Sequence, residues 1–390
     1  MGVEEDTDED LIQLYDEKVG DFDRWEQRKK DIENRKLGRV DGTENAIGKR
    51  FDSSVETEQD HDDLLRLTIT AFGPRSTIYK TTGWKLLGVE PLYEVDPHLR
   101  NPDAMMGHDD RDVAVTVECK TGLSSPQKAI QQIRAASQVV RDRSDYLSKK
   151  AGCSFSEIEP VLCVPGHLQQ KAKRAIEQEE QDGDVSQPIY LWTLHRFKGD
   201  ELQLNTQINT RTENESKHNS GLASILGGDS GVEIGGKVGL TPEFFPDSHP
   251  YTVMDHVFSE LLVKRERSDN SVRKFTRGEV YEFINDQRTV PHYEVATIAE
   301  MMTNDLLVKM EEFGLIDSTS PESGAGKGVE TYEYDSNLVE GKSASRIRSN
   351  LNEAYKSVWS SYKADSEAKR EAAQEFRESN PRLDQYYDES

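Results

Sequence analysis

The chain has 390 residues, 73 acidic against 49 basic, a formal net charge of −24 and 34% hydrophobic residues, which is enough for two or three domains. A surface this acidic normally repels nucleic acid; the same composition also suits life in molar salt, where charge repulsion is screened within about 3 Å, and on that halophilic reading net charge does not exclude a DNA partner. No run approaches the ~18 apolar residues of a membrane span, the opening MGVEEDTDED lacks the basic and apolar regions of a secretory leader, and Cys119, Cys153 and Cys163 have no metal-ligand spacing, so the expectation is a cytoplasmic protein without a membrane partner, a zinc site or a disulfide scaffold.

Residues 1–50 read as an acidic tail and N-terminal helices, with Leu11, Leu14, Tyr15, Val19, Phe22 and Trp25 at helical spacing. Residues 51–203 alternate helix and strand. SSVETEQDHDDLLRLTITAFG is predicted as a helix from a Ser cap to Gly73, with Leu65, Ile69 and Phe72 on its buried face. Residues 83–95 are predicted as a strand, and PDAMMGH and DVAVTVECKTG as a hairpin about the polar turn DDR. SPQKAIQQIRAASQVVRDRSDYL is a predicted helix capped by Ser125 with Pro126 in its first turn. IEPVLCVPG and PIYLWTLHRF follow as strands, separated by the helix HLQQKAKRAIEQEE. This order implies an α/β fold, a mixed sheet with helices on both faces.

Residues 204–248, rich in Asn, Thr, Ser and Gly, read as a flexible linker or insertion. In residues 249–340, FTRGEVYEFINDQ, YEVATIAEMM and TNDLLVKMEEFGLID read as three short amphipathic helices, and a Gly-rich loop leads into an alternating strand. That is a winged-helix-like arrangement. Thr303 is the expected N-cap of its recognition helix, and Asn304, Lys309 and Lys327 are the expected DNA contacts; protein contact is the alternative use of such a module. Residues 341–390 form a charged C-terminal helix and tail, with Ile347, Leu351, Ala354 and Val358 at helical spacing. The helix suits either homodimerisation or packing on its own chain.

The hairpin carries the chemistry. In DVAVTVECKTG, Val113, Val115 and Val117 point one way and Asp112, Glu118 and Lys120 the other, on a strand expected to be half-buried. Asp103 opens the partner strand, and antiparallel pairing brings it to the same end as Glu118. Two carboxylates this close repel unless a cation lies between them. Their hard oxygens suit Mg²⁺ or Mn²⁺, which can activate a bound water and neutralise a scissile phosphate. Lys120 can orient the water or stabilise the transition state. The ordinary alternatives are a structural ion pair for Glu118 and Lys120 and a turn role for Asp103. Asp109, Asp110 and Asp112 are expected in the turn, His61 and His108 as bystanders near the site, and Cys119 in the core.

On these residues, NPDAMM and VAVTVECKTG within this order of elements, the chain resembles the PD-(D/E)xK nuclease superfamily, which includes type II restriction endonucleases, archaeal Holliday-junction resolvases and RecB-type nuclease domains. The resemblance spans about 145 residues, from Ser53 to Phe197. It implies a restriction-endonuclease-like fold, Mg²⁺-dependent DNA cleavage, a further acid on the first helix and a Gln on the helix after the Glu-x-Lys strand. Stepping back from the buried face of the first helix gives Glu58, with Asp62 and Glu56 as alternatives. In AIQQIRAA, Gln132 shares the face of Ala129, Ile133 and Ala136. The expected catalytic set is therefore Asp103, Glu118, Lys120, Glu58 and Gln132. Asp103, Glu118 and Glu58 are the expected ligands of Mg²⁺ or Mn²⁺, DNA is the expected partner, and no organic cofactor is expected. The competing functions on the same fold are a catalytically inactive DNA-binding regulator and an interaction or adaptor protein.

Overall fold

A 26-residue helix, α2 (Ala46–Ala71), runs through both hydrophobic cores of the molecule. It starts well before the expected Ser cap. Asn45 is the cap, accepting a bond from Gly48 N, and Ile47, Phe51 and Val55 extend the buried stripe backwards, so Ser53 and Ser54 fall inside the helix. The computed structural model describes residues 22–73, 76–93, 95–96, 99–182, 188–198, 204–210, 222, 226, 232–234, 244–246, 248–267, 274–286, 295–319, 330–339 and 343–379. The acidic tail with Leu11, Leu14, Tyr15 and Val19, the loop carrying Lys327, and the C-terminal tail lie outside the described residues.

The fold is mixed α/β. Before α2 comes α1 (Phe22–Lys36), and after it α3 (Thr77–Thr82), β1 (Lys85–Val89), β2 (Ala104–Gly107) and β3 (Val113–Cys119). Then follow α4 (Pro126–Asp142), α5 (Ser144–Ala151), β4 (Glu157–Pro165), α6 (Gln169–Asp182) and β5 (Tyr190–Lys198). The expected single helix from Ser125 breaks at Arg143, and Ser125 makes no side-chain cap bond. The expected strand 83–95 stops at Val89, because Glu90 turns the chain with φ +42°. β1, β2 and β3 pair antiparallel, whereas β3, β4 and β5 pair parallel across the helical crossovers. The expected linker supplies β6 (Leu204–Thr210) and β7 (Val232–Ile234), which extend the sheet antiparallel to seven strands in the order β1 to β7.

Helix α2 covers one face of this sheet through Leu64, Leu65 and Ile69. α4 and α6 cover the other through Ile130, Ile133, Ala172 and Ile176. With helices on both faces, all seven residues of β3 are buried, so the strand is not half-exposed.

The second core gathers α7 (Pro250–Arg267), β8 (Lys274–Thr276), α8 (Arg277–Asp286), α9 (Val295–Glu312), β9 (Ile316–Thr319), β10 (Thr331–Tyr334) and α10 (Ser336–Val339). Its three strands form an antiparallel sheet in the order β8-β10-β9. The second and third expected helices are one helix. Thr303 is not a cap: it is 0% exposed inside α9, and its Oγ1 donates to Ala299 O, which satisfies the hydroxyl without ending the helix.

The 36-residue α11 (Ala344–Ser379) packs on its own chain. Ala368 and Ala372 meet Ile32 of α1, and Arg28–Glu375 (2.6 Å), Lys36–Glu371 (2.9 Å) and Arg50–Glu367 (2.7 Å) flank the contact. Phe51 joins α2 to the second core: it is 2% exposed, and its ring lies 5.1 Å from Tyr251 and 5.0 Å from Trp359. Phe51→Ala is expected to cost about 3–5 kcal/mol in urea denaturation. A loss under about 1 kcal/mol would show that this joint does not hold the two cores together.

Candidate active site

The β2–β3 register runs from Gly107↔Ala114 to Ala104↔Val117. One further step sets Asp103 opposite Glu118. Each is only 8% exposed. Asp103 Oδ2 accepts a bond from Cys119 N and lies 3.2 Å from His61 Nε2. Glu118 Oε1 accepts from Lys120 Nζ at 2.6 Å. Two buried carboxylates thus share one end of the hairpin, with an imidazole and an ammonium beside them.

The electrostatics follow from this crowding. Burial, and then the neighbouring Asp103 carboxylate, push Glu118 up to about 7, against the opposing pull of Lys120 and His61. Burial alone would lower Lys120, but the Glu118 and Asp103 carboxylates outweigh it and hold the ammonium above its ordinary value. Cys119 lies in the core as expected, paired in register with Cys163. Its hydrogen bond with Cys163, and its burial, hold the thiol well above the ordinary range.

The first helix brings a different residue from the one expected. His61, a bystander in the sequence reading, is the α2 side chain that reaches Asp103. Glu58 lies one turn earlier, where its charge acts on Tyr355 of α11 and helps burial to raise that phenol. Asp62 accepts a bond from Ser248 Oγ at 2.7 Å, tying α2 to the start of α7, and Glu56 is exposed. α11 occupies the face of α2 beside Glu58. On α4, Gln132 is half-buried and Gln131 exposed. Thr116 bonds Ser137 of α4 at 2.7 Å, so strand alternation turns Glu118 and Lys120 towards the same helix. His108 sits at the turn end of the hairpin, bonded to Thr82 O at 2.7 Å. Asp109 pairs with Lys85 and Asp112 accepts from Ser156 Oγ.

Beside Lys120 opens a cleft of about 430 Å³. Leu64, Pro165 and Leu194 line it with apolar surface, and Asp60, Thr121, His167 and His195 with polar groups. It lies at the carboxyl ends of the parallel strands β3 and β4, the edge where open α/β sheets bind ligands. The two segments leaving those strands, KTGLSSPQK (120–128) and GHLQQKAKR (166–174), contain five Lys or Arg and no Asp or Glu. Lys128, Lys171 and Arg174 among them are exposed. In a chain of net charge −24, these two segments are locally basic. The sequence carried this signal in its acid-free segments, and the sheet topology shows that they adjoin.

Among the described residues, no three His, Cys, Asp or Glu side chains converge on a point that would hold a metal ion. No helix among them is long and apolar enough to cross a membrane. Comparison with protein-family models, curated proteins and solved structures finds no match to the chain.

Because Glu118 in the folded chain titrates near 7, above its ordinary 4.5, the folded state holds a proton that the unfolded chain releases. Stability therefore falls as pH rises from about 4.5 to about 7. Glu118→Gln is expected to remove this slope, so that in divalent-free buffer the variant gains Tm relative to wild type across that window. A Tm difference that does not change with pH would contradict this electrostatic account.

Proposed function

We propose that the chain is a Mg²⁺-dependent DNA endonuclease, built on a restriction-endonuclease-like sheet with a winged-helix-like second module. The observation that carries the proposal is the buried Asp103–Glu118 pair with Lys120 beside it, at the locally basic edge of the sheet. Burial first, and then the neighbouring Asp103 carboxylate, raise Glu118 to about 7. A hard divalent cation relieves that crowding, and Mg²⁺ needs only one or two carboxylates when waters and phosphate oxygens complete its shell. The donor set therefore fits Mg²⁺ or Mn²⁺, held by Asp103 and Glu118; Glu58 is not in this set.

When bound, the ion supplies charge neutralisation at the scissile phosphate and a water of lowered pKa. The chain's own residues do the rest. Lys120, kept protonated, offers a positive charge to the developing phosphorane. His61 and Cys119 N fix the Asp103 carboxylate. Lys128, Lys171 and Arg174 supply backbone-phosphate contacts, which position a nucleic acid without reading its sequence.

The second module has the helix and strand order of a winged helix, which supports that reading of the fold. Its charge does not favour DNA. Asn304 already accepts from Arg277 Nη2 at 2.8 Å. Lys309 pairs with Glu312 at 3.2 Å and lies over the Phe313 ring. Glu300, Asp305, Glu311 and Glu312 are exposed on the same helix. We therefore assign the module to assembly with a protein partner rather than to DNA docking.

A second reading, a DNA-binding protein without catalysis, draws support from the Glu118–Lys120 pair. At 2.6 Å, the chain's own ammonium already compensates the carboxylate. Supercoiled plasmid and short duplexes in molar KCl with Mg²⁺ or Mn²⁺ separate the two readings. Wild type is expected to cleave, and Glu118→Ala and Lys120→Ala are each expected to slow cleavage about 100-fold or more. Cleavage that survives both substitutions sinks the nuclease assignment, and salt-resistant binding without cleavage establishes the second reading.

A further inference from the structure

We infer that the cleft beside Lys120 holds one unpaired nucleotide, so that the preferred substrate has a single-stranded position next to the scissile bond. This inference rests on the nuclease reading and narrows it to a class of DNA structure.

The shape comes first. A cleft of about 430 Å³ falls within the range of about 300–1,000 Å³ that takes small ligands. That is room for one base turned out of its stack rather than for a paired duplex. Enzymes that take a base from its stack receive it in a snug pocket of this kind.

The walls fit a nucleobase. Leu64 and Leu194 present buried aliphatic surface from two elements, α2 and β5. His167 and His195 offer imidazole faces, which stack on bases as aromatic rings do. The Thr121 hydroxyl and the Asp60 carboxylate supply polar atoms for a base edge. Gly166 secures one wall: a Cβ there would stand 2.3 Å from His195 Cε1 and Nδ1, so the His195 ring lies directly against bare backbone.

The segments flanking the cleft are basic. Thr121 of 120–128 and Gly166 and His167 of 166–174 line it, and the five Lys and Arg of these acid-free segments lie outside the lining, where Asp60 is the charged group. Thr121 lines the cleft, and the next residue back is Lys120. The pocket and the proposed chemistry thus fall on neighbouring positions of one chain segment, Thr121 in the lining and Lys120 and Glu118 just before it.

The test uses a 12-nucleotide single strand carrying a central 2-aminopurine, in molar KCl with EDTA. Binding is followed by anisotropy and stacking by fluorescence quenching. Wild type is expected to bind and quench. His167→Ala removes an exposed stacking face, and Thr121→Trp fills the cleft from a half-buried loop position. Neither change cuts into the core, and each is expected to weaken binding about 10-fold or more and to lose the quench. In parallel, with Mg²⁺, a splayed-arm duplex is expected to be cut at least about 10-fold faster than a blunt one, because the blunt duplex must first lose a stacked pair. Equal cleavage of the two duplexes, or single-strand binding unchanged in both variants, overturns the inference; Glu118-dependent cleavage would then still uphold the nuclease reading. Quenched, variant-sensitive binding without cleavage under any divalent cation upholds the pocket and overturns the nuclease reading.

Discussion

Two carboxylates held side by side in a nearly dry position are the constraint on which the rest of this structure depends. Asp103 and Glu118 are each 8% exposed and oppose each other across a hairpin. Burial, with the Asp103 charge added to it, raises Glu118 to about 7. A fold does not gather such a pair by default, since an uncompensated buried charge is costly. Every neighbour offsets part of that cost. Cys119 N and His61 hold Asp103, Lys120 holds Glu118, and α2 carries His61 into place from a helix anchored in both cores.

The double anchoring of α2 explains why the molecule does not divide into a sheet unit and an independent helical unit. Phe51 and Val55 pack with α7 and α11, while Leu64, Leu65 and Ile69 pack on the sheet. His61 and Asp62 lie between the two sets, one bonded to the hairpin and the other to Ser248 at the entry to α7. The site is thus positioned at the seam of the two cores. The two ends also differ in charge. The carboxyl edge of the sheet is basic and free of acids over two segments, whereas the exposed face of α9 is acidic.

Much of the sheet was legible in the sequence, because strand alternation and the hairpin turn are local signals. Asp103 opposite Glu118 follows from a count across one turn, and the structure has that register. Helix limits were less legible: Asn45 outcompetes the Ser cap because Ile47 and Phe51 find a core that only the fold creates. Thr303 looks like a cap by residue type, yet its hydroxyl is satisfied within one long helix. Glu58 follows from the periodicity of α2, and periodicity does not show that α11 lies against that turn. The strands β6 and β7 are hidden by a polar, Gly-rich composition, although Val232 of β7 joins the main core. The cleft was not legible at all, because it forms from α2, two loop starts and β5.

The central claim is that Asp103 and Glu118 form one divalent-cation site, and Mn²⁺ binding measured by electron paramagnetic resonance tests it most directly. The account predicts a single saturable Mn²⁺ site in the wild-type protein that is competed by Mg²⁺ and is lost in both Asp103→Asn and Glu118→Gln. Absence of any saturable site, or the same site in both variants, would contradict it.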